Sequence, residues 1–200
     1  MLRNQRMSRL ALSALILTGA LSFSQAGEHN GRFCFIGASD LADSSAPRFE
    51  NYSAQPSEAG PTAKLDLSSN PIAKEYRTVI RKEMAKGANF AGHYRIAIWG
   101  CGSSCAQFAV VNLKTGRAIT PKNVYTVSGV HLAADNFLPQ NESQAWGFRF
   151  RRDSRLLVLV GTINEDDSNE GALYFVLKAD SLVLAHRTTA ARNTCQQEQD

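Results

Sequence analysis

Hydrophobic positions recur along this chain with two different periods, and the change of period organises it. Between Asn70 and Gly87, Ile72, Tyr76, Val79, Ile80 and Met84 fall at helical spacing, while Lys74, Arg77, Arg81 and Lys82 lie mostly elsewhere around the helix. Asn70 is placed to cap, Pro71 suits the first helical position, and Gly87 suits the stop. The spacing predicts one amphipathic helix over 70–87, with its apolar side on a sheet. A helix lying on a membrane surface is the minor alternative. Beyond Gly87 the period falls to two. Tyr94, Ile96 and Ile98 alternate with His93, Arg95 and Ala97, and Phe108 to Leu113 follows as a second strand. Lys114 to Arg117 reads as a turn into Ala118 to Thr120, and Asn123 to Val127 is a further strand candidate. Val130 to Gln144 is a longer connection. Trp146, Phe148 and Phe150 then form an aromatic face opposite Gly147, Arg149 and Arg151. Leu156 to Val160, Leu173 to Leu177 and Leu182 to His186 complete the strands, the last two joined by the turn Lys178 to Ser181.

Two stretches share one layout of strand, glycine-containing loop, strand, tight turn and strand. They are Arg95 to Thr120 and Arg155 to Arg187, with Trp99-Gly100 matching Val160-Gly161. The segment Phe150 to Gly161 is also similar to the strand pattern of a β-propeller blade, but a blade takes about 40–45 residues, which leaves no room for a large closed propeller beside the helix and the N-terminal loop. The predicted class is mainly β with one amphipathic helix (α+β). It is one continuous antiparallel sheet, or two packed sheets, of blade-like meanders stapled by disulfides, with the helix covering an edge or a face.

The first residues change the reading of charge and compartment. Arg3, Arg6 and Arg9 precede the apolar stretch Leu10 to Leu21, and Ser24-Gln25-Ala26 has the small-x-small pattern of a cleavage site. The apolar stretch is shorter than the roughly 20 residues needed to span a bilayer. Residues 1–26 therefore read as a secretory signal cut after Ala26, with a periplasmic or secreted product and no stable membrane insertion afterwards. The whole chain has 22 basic and 18 acidic residues. Losing three arginines brings it close to neutrality, so no global charge argues for nucleic acid or an anionic membrane as partner. Residues 27–69, rich in Ser, Ala, Pro and Gly with a short strand at Arg32 to Ile36, read as a loop-rich segment, in which Ala38 to Thr62 wraps the domain or is partly disordered. Residues 70–195 read as a single β-rich domain, and 196–200 as a tail.

Cys34, Cys101, Cys105 and Cys195 are an even set in an exported chain, which predicts two bridges with three connectivities open. The preferred pairing is Cys101–Cys105 with Cys34–Cys195. On a chain-entropy model the long bridge stabilises by about 4–5 kcal/mol and the short one by about 2. In Trp99-Gly-Cys-Gly-Ser-Ser-Cys105 the cysteine spacing fits neither a thioredoxin-like motif nor a paired metal site. Cys101-Gly102-Ser103 has a superficial similarity to papain-type nucleophiles, with His131 or His186 as downstream bases, but it lies between strands instead of opening a helix. His93, six residues before Trp99, would share a surface with the Cys loop. The run Asn164 to Glu170 offers oxygen ligands without the EF-hand order or its glycine. It reads as a solvated hairpin loop, with weak Ca²⁺ binding as the alternative. Arg149, Arg151, Arg152 and Arg155 are the best basic patch, either neutralised by Glu165, Asp166 and Asp167 or open to an acidic partner. No catalytic residue, metal or cofactor is assigned. The candidate binding surface is His93, Trp99, Arg149, Arg151, Arg152 and Arg155.

The run Gly87-Ala-Asn-Phe-Ala-Gly-His-Tyr94, continuing to Ile98-Trp-Gly-Cys-Gly-Ser-Ser-Cys105, resembles a group of small exported bacterial proteins carrying Asn-Phe-Ala-Gly-x-Tyr followed by Trp-Gly-Cys-Gly and a second Cys. No activity is attached to that group, so the resemblance implies export and a β-rich fold and no catalytic residue. The layout after Trp146 is also similar to periplasmic immunity proteins that block peptidoglycan amidases, in architecture without a shared motif. The expectation is an exported, non-enzymatic binding or inhibitor-type protein with a protein partner in the envelope. An envelope enzyme acting near Trp99 to Cys105 and a structural envelope protein are the alternatives. The working surface is expected at the end of the sheet that carries the Cys loop and the acidic loop.

Overall fold

A computed structural model of the chain describes residues 33–34, 36, 41–55, 60–129, 147–190 and 195–196. The expected signal at 1–26, the connection Val130 to Gln144 with Trp146, and the tail beyond Gln196 lie outside these residues. The described part is mainly antiparallel β. Its strands are β1 (Phe33–Cys34), β2 (Tyr94–Gly102), β3 (Cys105–Asn112), β4 (Ala118–Ile119), β5 (Val127–Ser128), β6 (Phe148–Phe150), β7 (Leu156–Ile163), β8 (Glu170–Lys178), β9 (Ser181–Thr189) and β10 (Cys195–Gln196). β1 and β10 pair with Cys34 opposite Cys195, and the expected long bridge between them lies outside the described side chains. The other eight strands form one sheet in the order β2-β3-β5-β7-β8-β9, with β4 beside β3 and β6 beside β7.

Short β5 is the joint of that sheet. Its Ser128 pairs with Cys105 on one side and with Thr162 on the other. Away from this joint the two halves fold over a shared core. Ile96, Phe108 and Val110 from one half meet Phe148, Phe150, Leu157, Leu159 and Phe175 from the other, and Phe108 meets Phe148 edge-on at 5.1 Å. The bend tightens where Gly161 of β7 faces Gly171 of β8, with φ of 131° and 146°. A Cβ on Gly161 would overlap the Ser128 carbonyl oxygen, and one on Gly171 the Thr188 carbonyl oxygen.

Each outer face has its own cover. The helical segment lays Ala73, Ile80 and Met84 on Ala97, Ala109 and Val111 of β2 and β3. Full burial of side chains the size of Ile80 and Met84 stabilises by roughly 1.5–3 kcal/mol each. The single helix expected over 70–87 is two, α1 (Pro71–Glu75) and α2 (Arg77–Met84), interrupted at Tyr76 with φ −101° and ψ 25°. Tyr76 stacks on Trp99 at 4.7 Å, so the break coincides with the anchor to β2. Asn70 caps as expected, its side-chain oxygen accepting from the Ile72 N–H. On the opposite outer face Leu41, Phe49 and Tyr52 pack on Leu156, Val158, Val160 and Val176, so residues 41–54 form a strap over β7 and β8. The Ser154 hydroxyl donates to the Phe49 and Tyr52 carbonyls, and the Arg155 N–H donates to Tyr52, which fixes the strap to the β6–β7 turn.

The strand expected at Asn123 to Val127 shortens to β5. Asn123 has φ 59°, and the N–H groups of Tyr125 and Thr126 donate to the Asn164 side-chain oxygen instead of a neighbouring strand.

Candidate binding cleft

The residues singled out in the sequence fall in three separate places, and most are held in contacts that build the fold. Cys101 and Cys105 form a disulfide across the tip of the β2–β3 hairpin, with Cα atoms 5.2 Å apart. A register shift between Gly100 and Gly102 makes Cys101 the extra residue of a bulge, and the bridge pins that bulge. Trp99 lies on the outer face against Tyr76, and its indole N–H donates to the Gln107 side chain.

His93 sits at the opposite end of β2, its ring 4.5 Å from that of Tyr94, and burial followed by the nearby Lys114 charge lowers its pKa. The Tyr94 hydroxyl donates to Asp180 at 2.6 Å, and the Asn112 amide donates to the same carboxylate oxygen at 3.0 Å. Burial, then the Asp180 carboxylate, pushes the Tyr94 phenol upward, so this hydroxyl stays a donor tying β2 to the β8–β9 turn. The Asn-Phe-Ala-Gly segment is structural in the same way. The Asn89 side chain accepts from the Ile96 N–H and donates to its carbonyl, while Ala91 and Gly92 donate to the Ser154 and Arg152 carbonyls.

The arginine patch is consumed largely by the strap. Arg151 binds both oxygens of Asp153 on its own turn and also Glu50 on the strap. Asp153 first, then Glu50, raises the Arg151 pKa, and Arg151 in turn holds the Asp153 carboxyl below its usual range. Arg155 donates to the Ser53 carbonyl. Arg149 donates to the Phe148 carbonyl, and its burial lowers its pKa. Arg152 is exposed. In the acidic loop the Asp166 carboxylate accepts from the Ser168 N–H and hydroxyl and from the Asn169 amide, a self-contained cap on the turn.

A concave surface lies elsewhere, between β9 and the connection after β4. Opposite each other across β8 and β9 stand Leu177 and Leu182, Phe175 and Leu184, and Leu173 and Arg187. Leu173, Phe175 and Leu177 belong to the inner core, so their partners on β9 extend that inner face outward. A bulge at Ala185 decides which later residues point in. Unbroken alternation would continue Leu182, Leu184, His186. The shift sends His186 to the outer face, against Tyr174 and Asp43, and turns Arg187 inward. Leu184 stays 48 % exposed despite its place beside the core, because nothing described covers it.

The cleft it borders has a volume of about 760 Å³. Ile119, Val124, Ile163, Leu173 and Phe175 make its apolar floor, and Lys122, Asn123, Asn164, Asn169 and Arg187 make a polar rim. Among the described residues its lining holds two cations and no carboxylate side chain. Arg187 donates to the Asn169 side-chain oxygen, while Lys122 is exposed and has no carboxylate partner among the described residues. Ile163, Asn164 and Asn169 join the cleft to the acidic loop, and β5 sets that loop beside the Cys hairpin, the end of the sheet singled out in the sequence.

No protein-family description, curated protein or solved structure matches this chain.

Proposed function

We propose that this chain is an exported periplasmic or secreted binding protein of inhibitor or immunity type, not an enzyme, and that its ligand seats in the cleft beside β9. One observation carries the reading: a concave, partly apolar surface with an uncovered leucine and a rim of cations and amides, whose lining contains no carboxylate among the described residues. The residues with chemical potential near Trp99 to Cys105 support binding over catalysis, because the thiols are joined, the indole is stacked and hydrogen-bonded, and the His93 ring packs on Tyr94. Export rests on the basic, apolar and small-residue order of positions 1–26, and on the resemblance of Asn89 to Cys105 to small exported bacterial proteins. The meanders β2–β4 and β7–β9 are taken as blade-like units that present loops at the working end.

A photo-crosslinking residue at position 184, compared with one at Lys82 on α2, tests the site in cells. Adducts from position 184 that are absent from position 82, and that disappear on Lys122→Glu with Arg187→Glu, are the expected result. Equal adducts from both positions would refute a cleft-borne function. N-terminal sequencing of the exported chain should begin at Gly27, and an uncut chain would remove the export argument.

A further inference from the structure

We infer that the cleft takes an extended, acidic peptide segment, which adds as a strand to the open edge of β9. The inference rests on the binding role proposed for this cleft and names the chemistry of its occupant. β9 is nine residues long and pairs only with β8 among the described residues. Alternation in an antiparallel pair turns every second peptide group of such an end strand away from its partner, leaving N–H and C=O groups ready for another chain. Edge strands of this length are ordinarily protected by covering elements or edge charges. The later part of β9 has such protection, with His186 and Thr188 on Asp43 of the strap, but its first half exposes Val183 by 43 % and Leu184 by 48 %, on opposite faces of the strand. An added strand would cover both, its inward side chains reaching the apolar floor at Phe175.

Charge selects the occupant. β9 itself, Ser181 to Thr189, contains Arg187 and no carboxylate, and Lys122 stands on the facing wall. A segment carrying Asp or Glu gains from both cations. A second copy of β9 would instead bring Arg187 toward another arginine-bearing strand with no acid to answer it, so a partner of opposite charge is favoured over self-pairing.

The test uses the mature, oxidised protein and two pools of N-acetylated octapeptides. One pool is built from Val, Thr, Leu and Glu, and the other has Lys in place of Glu. A third set repeats the Glu pool with N-methyl groups at alternate residues, which keeps side chains but blocks one hydrogen-bonding edge. The Glu pool should be retained at least tenfold better than the Lys pool, and the preference should vanish on Lys122→Glu with Arg187→Glu. N-methylation should lower retention at least tenfold, and bound Glu peptides should slow hydrogen exchange of β9 amides. Retention indifferent to N-methylation, with the Leu184 and Thr120 amide resonances still shifted, would overturn strand addition while leaving the cleft as a binding site. Peptides that shift neither resonance would overturn the binding role itself. A concentration-dependent dimer that protects β9 without peptide would make a second copy the occupant and overturn the acidic partner.

Discussion

Replacing Glu83 by Gln should destabilise the domain by about 2–3 kcal/mol, although Glu83 lies far from the cleft. Glu83 on α2 receives Arg95 of β2 at 2.7 Å and Lys86 at 2.6 Å. The Arg95 and Glu83 side chains are only 10 % and 15 % exposed. Burial works against the charge on Glu83, yet the bonds from Lys86 and Arg95 outweigh it and hold the carboxyl below its ordinary range. Arg95 has little else, since one terminal N–H donates to the Gly87 carbonyl at 3.3 Å and its Nε has no partner. Removing one member of a buried pair costs about 3–5 kcal/mol, and the water-exposed Lys86 side places this case at or below the lower end. For a domain of this size the loss corresponds to roughly 5–10 °C in Tm. Replacing both partners, with Glu83→Met and Arg95→Met, should recover stability to within about 1 kcal/mol of the parent, because it removes the orphaned charge and the unpartnered Nε together. Urea unfolding at pH 7 measures all three proteins. Because the folded pKa of Glu83 is depressed, its contribution is present above the ordinary carboxylate range and is lost as pH falls. The gap between the parent and Glu83→Gln should therefore narrow toward pH 3. A Glu83→Gln variant within about 0.5 kcal/mol of the parent (on the order of a surface change), or a double variant no more stable than Glu83→Gln, would refute the reasoning.

Three further outcomes follow from the same contacts. Asp180→Ala should destabilise by about 2–4 kcal/mol in urea unfolding, because it leaves the Tyr94 hydroxyl and the Asn112 amide without their shared acceptor; an unchanged midpoint would remove this tie from the account. Ala179→Gly should stabilise by about 0.5–1 kcal/mol, since Ala179 is held at φ 44° in a two-residue turn where glycine meets no Cβ penalty; a loss of stability would show that the turn is relaxed as it stands. Asp43→Asn should flatten the acid limb of a pH–stability curve. Hydrogen bonds from Ser45, then His186, depress the Asp43 pKa, so its contribution exists above the ordinary carboxylate range and fades on acidification; identical acid limbs would contradict it.

Periodicity carried the fold because both covered faces of the sheet impose it. Phe108 and Val110 point to the inner core while Ala109 and Val111 meet the helix, and the same division separates Leu157 and Leu159 from Leu156 and Val158. A strand buried on both sides reads as an unbroken apolar run, and Leu156 to Val160 was recognised on that basis. Pattern alone did not show how the helix breaks or where β5 begins. At Tyr76 a ring stack with Trp99, 23 positions away in the chain, coincides with the break in a helical repeat. At Tyr125 and Thr126 a side chain from the β7–β8 loop takes the N–H groups that a longer strand would have used. Both are tertiary contacts, invisible to local spacing.

The cleft escaped the sequence for a related reason. Cys, His, Trp and clustered Arg are the chemically distinctive residues of the sequence, and the fold spends many of them on a bridged bulge, a helix anchor and a strap. Arg187 looked like the end of a strand whose pattern continued to His186. One inserted residue at Ala185 reverses the faces beyond it, and no propensity announces a bulge of this kind. Leu184 is an ordinary strand residue in the sequence, and only the position of β9 at the sheet's margin leaves it uncovered. The paired layout of the Cys loop and the acidic loop was legible in the sequence, and the two loops do lie at one end of the sheet. β5 joins those two loops at Cys105 and Thr162, and the acidic loop contributes Asn164 and Asn169 to the cleft wall. A motif specific enough to define a resemblance can therefore be a record of how a sheet is closed, and the same closure leaves β9 at the end of the described strand order with Leu184 uncovered.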